Sequence, residues 1–79
     1  MDNNIKGVIV VYTIPNCPKC KKIVDKLAER GIQFRIQEVD EKIVEELIND
    51  GFEETPVLDL GDQKLTFVQA IKWLRNYKD

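Results

Sequence analysis

Residues 7–20 read GVIVVYTIPNCPKC, in which a short apolar run leads through a turn to two cysteines. The run at 7–12 is rich in β-branched residues, which is typical of a buried strand. After Cys17 and Cys20, apolar residues recur at helical spacing until Gly31 provides a stop. This stretch therefore predicts a strand that leads directly into a helix, with both cysteines at the junction.

The middle of the chain predicts a second strand and a second helix. Residues 33–39 alternate between polar and apolar side chains, which indicates a strand. Asp40 can cap the helix that follows, and the Asn-Asp-Gly sequence at 49–51 ends it. The apolar face of this helix consists of Ile43, Val44, Leu47 and Ile48.

The last third predicts a hairpin and a third helix. Gly61-Asp62 between two extended runs is a two-residue hairpin signal. Thr66 and Gln69 form a capping box. The helix that this box opens presents Phe67, Ala70, Ile71, Leu74 and Tyr77 on one face. The element order is β-α-β-α-β-β-α, which predicts an α/β fold with a four-stranded mixed sheet and helices on both faces.

Length and composition predict one small soluble domain over residues 1–79. A formal charge of −2 argues against a general nucleic-acid or membrane-surface binder. The N-terminal apolar run is too short for a signal peptide, so we expect a cytoplasmic location. We also expect a monomer. Thiols in the cytoplasm are normally reduced, so a cysteine pair there is more often catalytic or metal-binding than structural.

Charged residues fall into two blocks, which predict a dipolar molecule. The basic block follows the first cysteine and contains Lys19, Lys21, Lys22, Lys26 and Arg30. The acidic block contains Glu38, Asp40, Glu41, Glu45, Glu46, Asp50, Glu53 and Glu54. Two solvated helix faces and steering toward an anionic partner both explain these blocks.

The cysteine pair is placed for thiol–disulfide exchange. The nucleophile is a thiolate, which the positive end of a helix favours. Pro18 fits the first helical turn, where its missing N–H costs nothing. A spacing of three lets Cys20 approach Cys17 across one turn. We therefore expect Cys17 to attack a substrate disulfide and Cys20 to resolve the mixed disulfide.

Two other interpretations of the pair stay open. A structural disulfide would close a very short loop, and short loops stabilise least in the chain-entropy model. A metal site of the usual type needs two further ligands, whereas the sequence has only these two cysteines and no histidine. A metal or cluster shared between two chains remains an alternative, in which the protein is a non-catalytic module.

The chain resembles a glutaredoxin, a member of the thioredoxin-fold superfamily, over nearly its whole length. The resemblance is carried by Tyr12-Thr13, by Cys17-Pro18-Lys19-Cys20, and by Thr55-Pro56 at the third strand. It implies a thioredoxin-like fold and a dithiol–disulfide oxidoreductase that reduces protein or glutathione-mixed disulfides, without a tightly bound cofactor. It also implies that Pro56 is cis and packs against the cysteines, and that the backbone of Thr55 pairs with the substrate.

Three positions depart from the glutaredoxin pattern. Lys19 replaces the usual tyrosine, and Ile14 stands where a glutathione-binding lysine often lies. Residues 66–69 replace a Gly-Gly pair and the acidic residue after it, so the close backbone approach that glycine permits is lost. Lys19 can still meet the glycine carboxylate of glutathione.

The resemblance leaves the source of electrons open between glutathione and thioredoxin reductase. In size and in Phe67 the chain is similar to the glutaredoxin-like hydrogen donors of ribonucleotide reductase, which take electrons from thioredoxin reductase. Either way, the catalytic residues are Cys17 and Cys20. The implied substrate-binding residues are Tyr12, Pro18, Lys19, Thr55, Pro56, Thr66 and Phe67.

Overall fold

The structure is a computed structural model and describes residues 9–77. The elements are β1 (Ile9–Thr13), α1 (Pro18–Glu29), β2 (Phe34–Glu38), α2 (Glu41–Asn49), β3 (Val57–Asp59), β4 (Lys64–Leu65) and α3 (Phe67–Arg75). This order confirms the predicted one. Gly7 and Val8, the first two residues of the predicted first strand, lie outside the described residues. Within the described part of the chain, no helix has the length and apolar character needed to cross a membrane.

The four strands form one mixed sheet in the order β2-β1-β3-β4. β1 runs parallel to β2 and antiparallel to β3, so Val11 pairs with Ile36 on one side and with Leu58 on the other. β4 pairs antiparallel with β3 and forms the opposite edge. The parallel pair is joined through α1, as the predicted βαβ unit requires.

The core lies between the sheet and the two helices α1 and α3. Ile23 and Leu27 of α1 are fully buried, and so is Val11 at the centre of β1. The cluster of buried residues contains Ile9, Val11, Ile23, Leu27, Ile32, Leu58, Leu60, Leu65, Ala70 and Leu74. Because side chains alternate along a strand, the fully buried Val57 lies on the opposite face of the sheet from Leu58. Apolar burial of this kind is the main favourable term in folding.

Local hydrogen bonds explain where α2 and α3 begin, and a glycine conformation explains the position of the hairpin turn. Asp40 Oδ1 accepts from the backbone N–H of Ile43 at 2.9 Å, which caps α2 as predicted. Thr66 and Gln69 form both halves of the predicted capping box of α3. The hairpin also matches its signal, because Gly61 has a φ of 100°, which favours glycine.

The apolar face predicted for α2 is only partly core. Leu47 is buried, whereas Val44 and Ile48 are 41% and 59% exposed. Ile36 on the edge strand β2 is likewise 55% exposed. Helical spacing shows which residues share a face, but it does not show how much of that face a neighbouring element covers.

A truncation in the core should cost much more stability than one on the exposed part of α2. We expect Leu58→Ala to lower the free energy of unfolding by about 2–5 kcal/mol, because Leu58 is buried on a central strand. Ile48→Ala is the control, with an expected loss of about 0.5 kcal/mol or less. Urea denaturation followed by circular dichroism measures both, and equal losses would contradict this description of the core.

Candidate active site

The junction between β1 and α1 presents Cys17 at the start of the helix. Asn16 adopts a φ of 58°, a left-handed conformation that asparagine tolerates better than most residues. Cys17 is the N-cap of α1 and Pro18 occupies the first turn. The backbone N–H of Cys20 donates to Cys17 Sγ at 3.2 Å. Cys17 Sγ is therefore the helix cap, at the positive end of the helix dipole.

Cys17 and Cys20 are joined by a disulfide, with their Cα atoms 5.2 Å apart. Cys17 is half-buried, whereas Cys20 is only 4% exposed. A thiol or disulfide from solvent therefore reaches Cys17 more easily than Cys20. The geometry suits a dithiol that alternates between reduced and oxidised forms, with the outer sulfur making the external contact.

An open apolar groove of about 630 Å³ lies beside Cys17. Its apolar lining comes from Ile14, Val39, Val44, Leu47, Ile48 and Phe52. Its charged lining comes from Lys19, Glu53 and Glu54. Most of these residues carry no functional signal in the sequence, since Val44 and Ile48 have the same spacing as core residues. Their incomplete burial becomes visible only in the folded chain.

The Thr55-Pro56 peptide bond is cis, as the resemblance implied. Thr55 lines the groove together with Cys17 and Pro18, so the structure brings these predicted residues together. Pro56 itself is fully buried. Thr66 and Phe67 instead line a smaller groove of about 260 Å³, to which Pro56 also contributes. The predicted substrate-binding residues are therefore divided between two grooves.

Lys19 lines both grooves and has two partners. Its Nζ lies 3.8 Å from a carboxylate oxygen of Glu54 and 5.5 Å from the centroid of the Phe67 ring. The first contact is an exposed ion pair and the second has cation–π geometry. The ammonium of Lys19 thus connects the start of α1 with the start of α3 and with the loop before β3.

Tyr12, another predicted substrate-binding residue, lies on β1 and has a partner across the sheet. Its hydroxyl makes a long hydrogen bond of 3.5 Å to Asp59 Oδ2, and Tyr12 lines neither of the two grooves described above. Partial burial and then the charge of Asp59 raise the pKa of Tyr12 above its usual value. A hydrogen bond to Asp50 likewise raises the pKa of Lys64, whose Nζ lies 2.6 Å from Asp50. No pattern in the sequence predicts these contacts of Tyr12 with Asp59 and of Lys64 with Asp50.

Residues 9–77 contain no group of three or more His, Cys, Asp or Glu side chains arranged to hold a metal ion. A metal shared between two chains through the cysteine pair is a separate arrangement, and it stays an untested alternative.

The sheet order, the cis proline and the cysteine pair at the helix start define a thioredoxin-like dithiol protein. The glutaredoxin family model matches residues 9–65, and the chain belongs to the glutaredoxin family. It is a dithiol–disulfide oxidoreductase of that family, which confirms the predicted class and fold.

Solved structures agree with this assignment. The glutaredoxin-like protein NrdH-redoxin from Escherichia coli is 25% identical with a TM-score of 0.78, over 92% of this chain and 99% of that one. That protein is described as having a thioredoxin-like activity profile. A glutaredoxin from Brucella melitensis is 20% identical with a TM-score of 0.71, over 84% of this chain and 76% of that one, and shows a shared fold. No curated protein gives a significant match to the sequence.

The interaction between Tyr12 and Asp59 can be tested by titration. In a Tyr77→Phe background Tyr12 is the only tyrosine, so its ionisation can be followed by absorbance at 295 nm. We expect Asp59→Asn to lower the pKa of Tyr12, because the substitution removes a negative charge that disfavours the phenolate. Asparagine keeps an oxygen for the 2.8 Å hydrogen bond from the Gly61 N–H. An unchanged or higher pKa would show that Asp59 does not act on Tyr12.

Proposed function

We propose that this protein reduces protein disulfides and receives its electrons from thioredoxin reductase. The observation that carries the disulfide-reducing part of the proposal is the asymmetry of the cysteine pair, in which half-buried Cys17 lies beside an open groove and Cys20 is almost fully buried. A cytoplasmic, monomeric protein that serves electron transport and redox homeostasis is part of the same proposal.

The reaction proceeds through two exchanges. The Cys17 thiolate attacks one substrate sulfur, a Cys17–substrate disulfide forms, and the other substrate sulfur leaves and takes up a proton. Cys20 then loses its proton and attacks Cys17 Sγ, which releases the second substrate thiol and forms the Cys17–Cys20 disulfide. Two electrons pass from the cysteine pair to the substrate, whose two thiols take up one proton from Cys20 and one from solvent. Thioredoxin reductase and NADPH return the pair to the dithiol form.

The chain supplies three aids to these exchanges. The start of α1 favours the thiolate of Cys17, through the helix dipole and through the N–H of Cys20. Thr55 lies on the same groove, where its backbone N–H and C=O can pair with an extended substrate. Cys20 is one helical turn from Cys17, which makes the second exchange intramolecular and therefore fast.

The surroundings of Cys17 favour a protein partner over glutathione. Ile14, which stands where glutaredoxins often carry a lysine, is 44% exposed and lines the groove. Residues 66–69 begin a capped helix whose Phe67 side chain packs partly against the core. Glu53 and Glu54 add negative charge that repels an anionic tripeptide. NrdH-redoxin, with its thioredoxin-like activity profile, is a relative of matching length.

Glutathione is the second candidate for the reductant, and one observation favours it. Lys19 lies on the same groove as Cys17, where its ammonium can meet a carboxylate of glutathione. In that case the substrates would include glutathione-mixed disulfides.

Single cysteine substitutions should separate the two roles. We expect Cys17→Ser to abolish the acceleration that the protein gives to insulin reduction by dithiothreitol, leaving only the uncatalysed background rate. Cys20→Ser should stop dithiol turnover and leave a mixed disulfide on Cys17, which intact-mass spectrometry detects. Full activity of the Cys17→Ser variant would refute the catalytic role of Cys17.

The alternative of a metal-sharing module is tested on the unmodified protein. Inactivity toward disulfides, together with stoichiometric iron or zinc after purification, would favour it.

The reductant can be identified by comparing two coupled assays with the same oxidised protein. One contains NADPH and thioredoxin reductase, and the other contains NADPH, glutathione and glutathione reductase. We expect NADPH consumption at least about tenfold faster in the first, a difference of about 1.4 kcal/mol in transition-state stabilisation. Faster turnover with glutathione would establish the second candidate.

A further inference from the structure

The charges around Lys19 lead to an inference about substrate choice, which rests on the proposed function. We propose that Glu54 is a specificity-determining residue that discriminates against anionic disulfides by pairing with Lys19. The pair lies on the groove that also contains Cys17.

Lys19 is the only cation among the described residues that line this groove, where it stands with Glu53 and Glu54. A carboxylate that enters beside Cys17 therefore has one favourable partner and two repulsive ones. The favourable partner is already engaged, because Lys19 Nζ lies 3.8 Å from Glu54. An anionic substrate must break or share that ion pair before it gains the lysine.

Glu54 and Glu53 are not equivalent in this respect. Both line the larger and the smaller groove, and both are exposed. Among the described side chains, the ion pair of Lys19 is made with Glu54 and not with Glu53. Glu53 therefore contributes charge alone, whereas Glu54 contributes charge and also holds the lysine. The two residues form a matched pair for an experiment.

Phe67 limits the positions that Lys19 can take. The ammonium lies 5.5 Å from the centroid of the ring, so one side of Lys19 faces an aromatic surface and another faces Glu54. When Glu54 loses its charge, the ring still keeps Lys19 near the groove. We therefore expect neutralisation of Glu54 to make the lysine available rather than to release it into solvent.

The test uses the reduced protein without any coupling enzyme, so that it does not depend on the identity of the reductant. Rate constants for oxidation of the cysteine pair are measured by rapid mixing, quenching with an alkylating reagent and mass spectrometry. The probes are glutathione disulfide, which is anionic, hydroxyethyl disulfide, which is neutral, and cystamine, which is cationic. Each rate constant is divided by that for the neutral disulfide.

We expect Glu54→Gln to raise the anionic-to-neutral rate ratio by about two- to fivefold, the range that follows from the strength of an exposed ion pair. The cationic-to-neutral ratio should fall. Glu53→Gln should change both ratios by less than half as much. The difference should disappear at about 1 M salt, where the Debye length is about 3 Å.

A double substitution separates pairing from charge alone. In a Lys19→Met background, Glu54→Gln should have no larger effect than Glu53→Gln, because no ammonium remains to be released. Equal effects of the two glutamate substitutions, or an undiminished effect of Glu54→Gln without Lys19, would overturn the inference. Failure of the unmodified protein to react with the neutral disulfide would overturn the proposed function itself, and the inference with it.

Discussion

The packing of α1 against the sheet is the constraint on which the site depends. Ile23 and Leu27 are fully buried beside β1, and this fixes the direction in which α1 leaves the strand. The N-terminus of α1 can then lie only above the end of β1, where Cys17 caps it. Burial several residues away thus sets the position of Cys17 Sγ.

Much of the fold could be predicted because local signals and global packing agree. Each local signal specifies one conformation: the β-branched run a strand, the capping residues the starts of helices, and Gly61 a turn. Together these signals predict the observed order of strands and helices. The position of the cysteine pair follows directly from that order. The cis state of Pro56 came only from family resemblance, since nothing in the residues themselves distinguishes it from an ordinary X–Pro bond.

The rest of the site depends on distances between parts of the chain that are far apart in sequence. Val44 and Ile48 have the spacing of core residues, and only the fold shows that they line a groove. Glu54 lies 35 positions after Lys19, so no pattern in the sequence predicts their ion pair. The hydrogen bond between Tyr12 and Asp59 has no sequence signal for the same reason, because the two residues meet across the sheet.

The capping sulfur of Cys17 has a consequence for the mechanics of turnover. A sulfur atom can accept a hydrogen bond as a thiolate, in a mixed disulfide and in the internal disulfide, so the Cys20 N–H retains an acceptor in each state. The first turn of α1 therefore has no need to unwind and re-form as bonds at Cys17 are exchanged. The exchanges proposed at Cys17 can therefore proceed without a change in the backbone of the first turn.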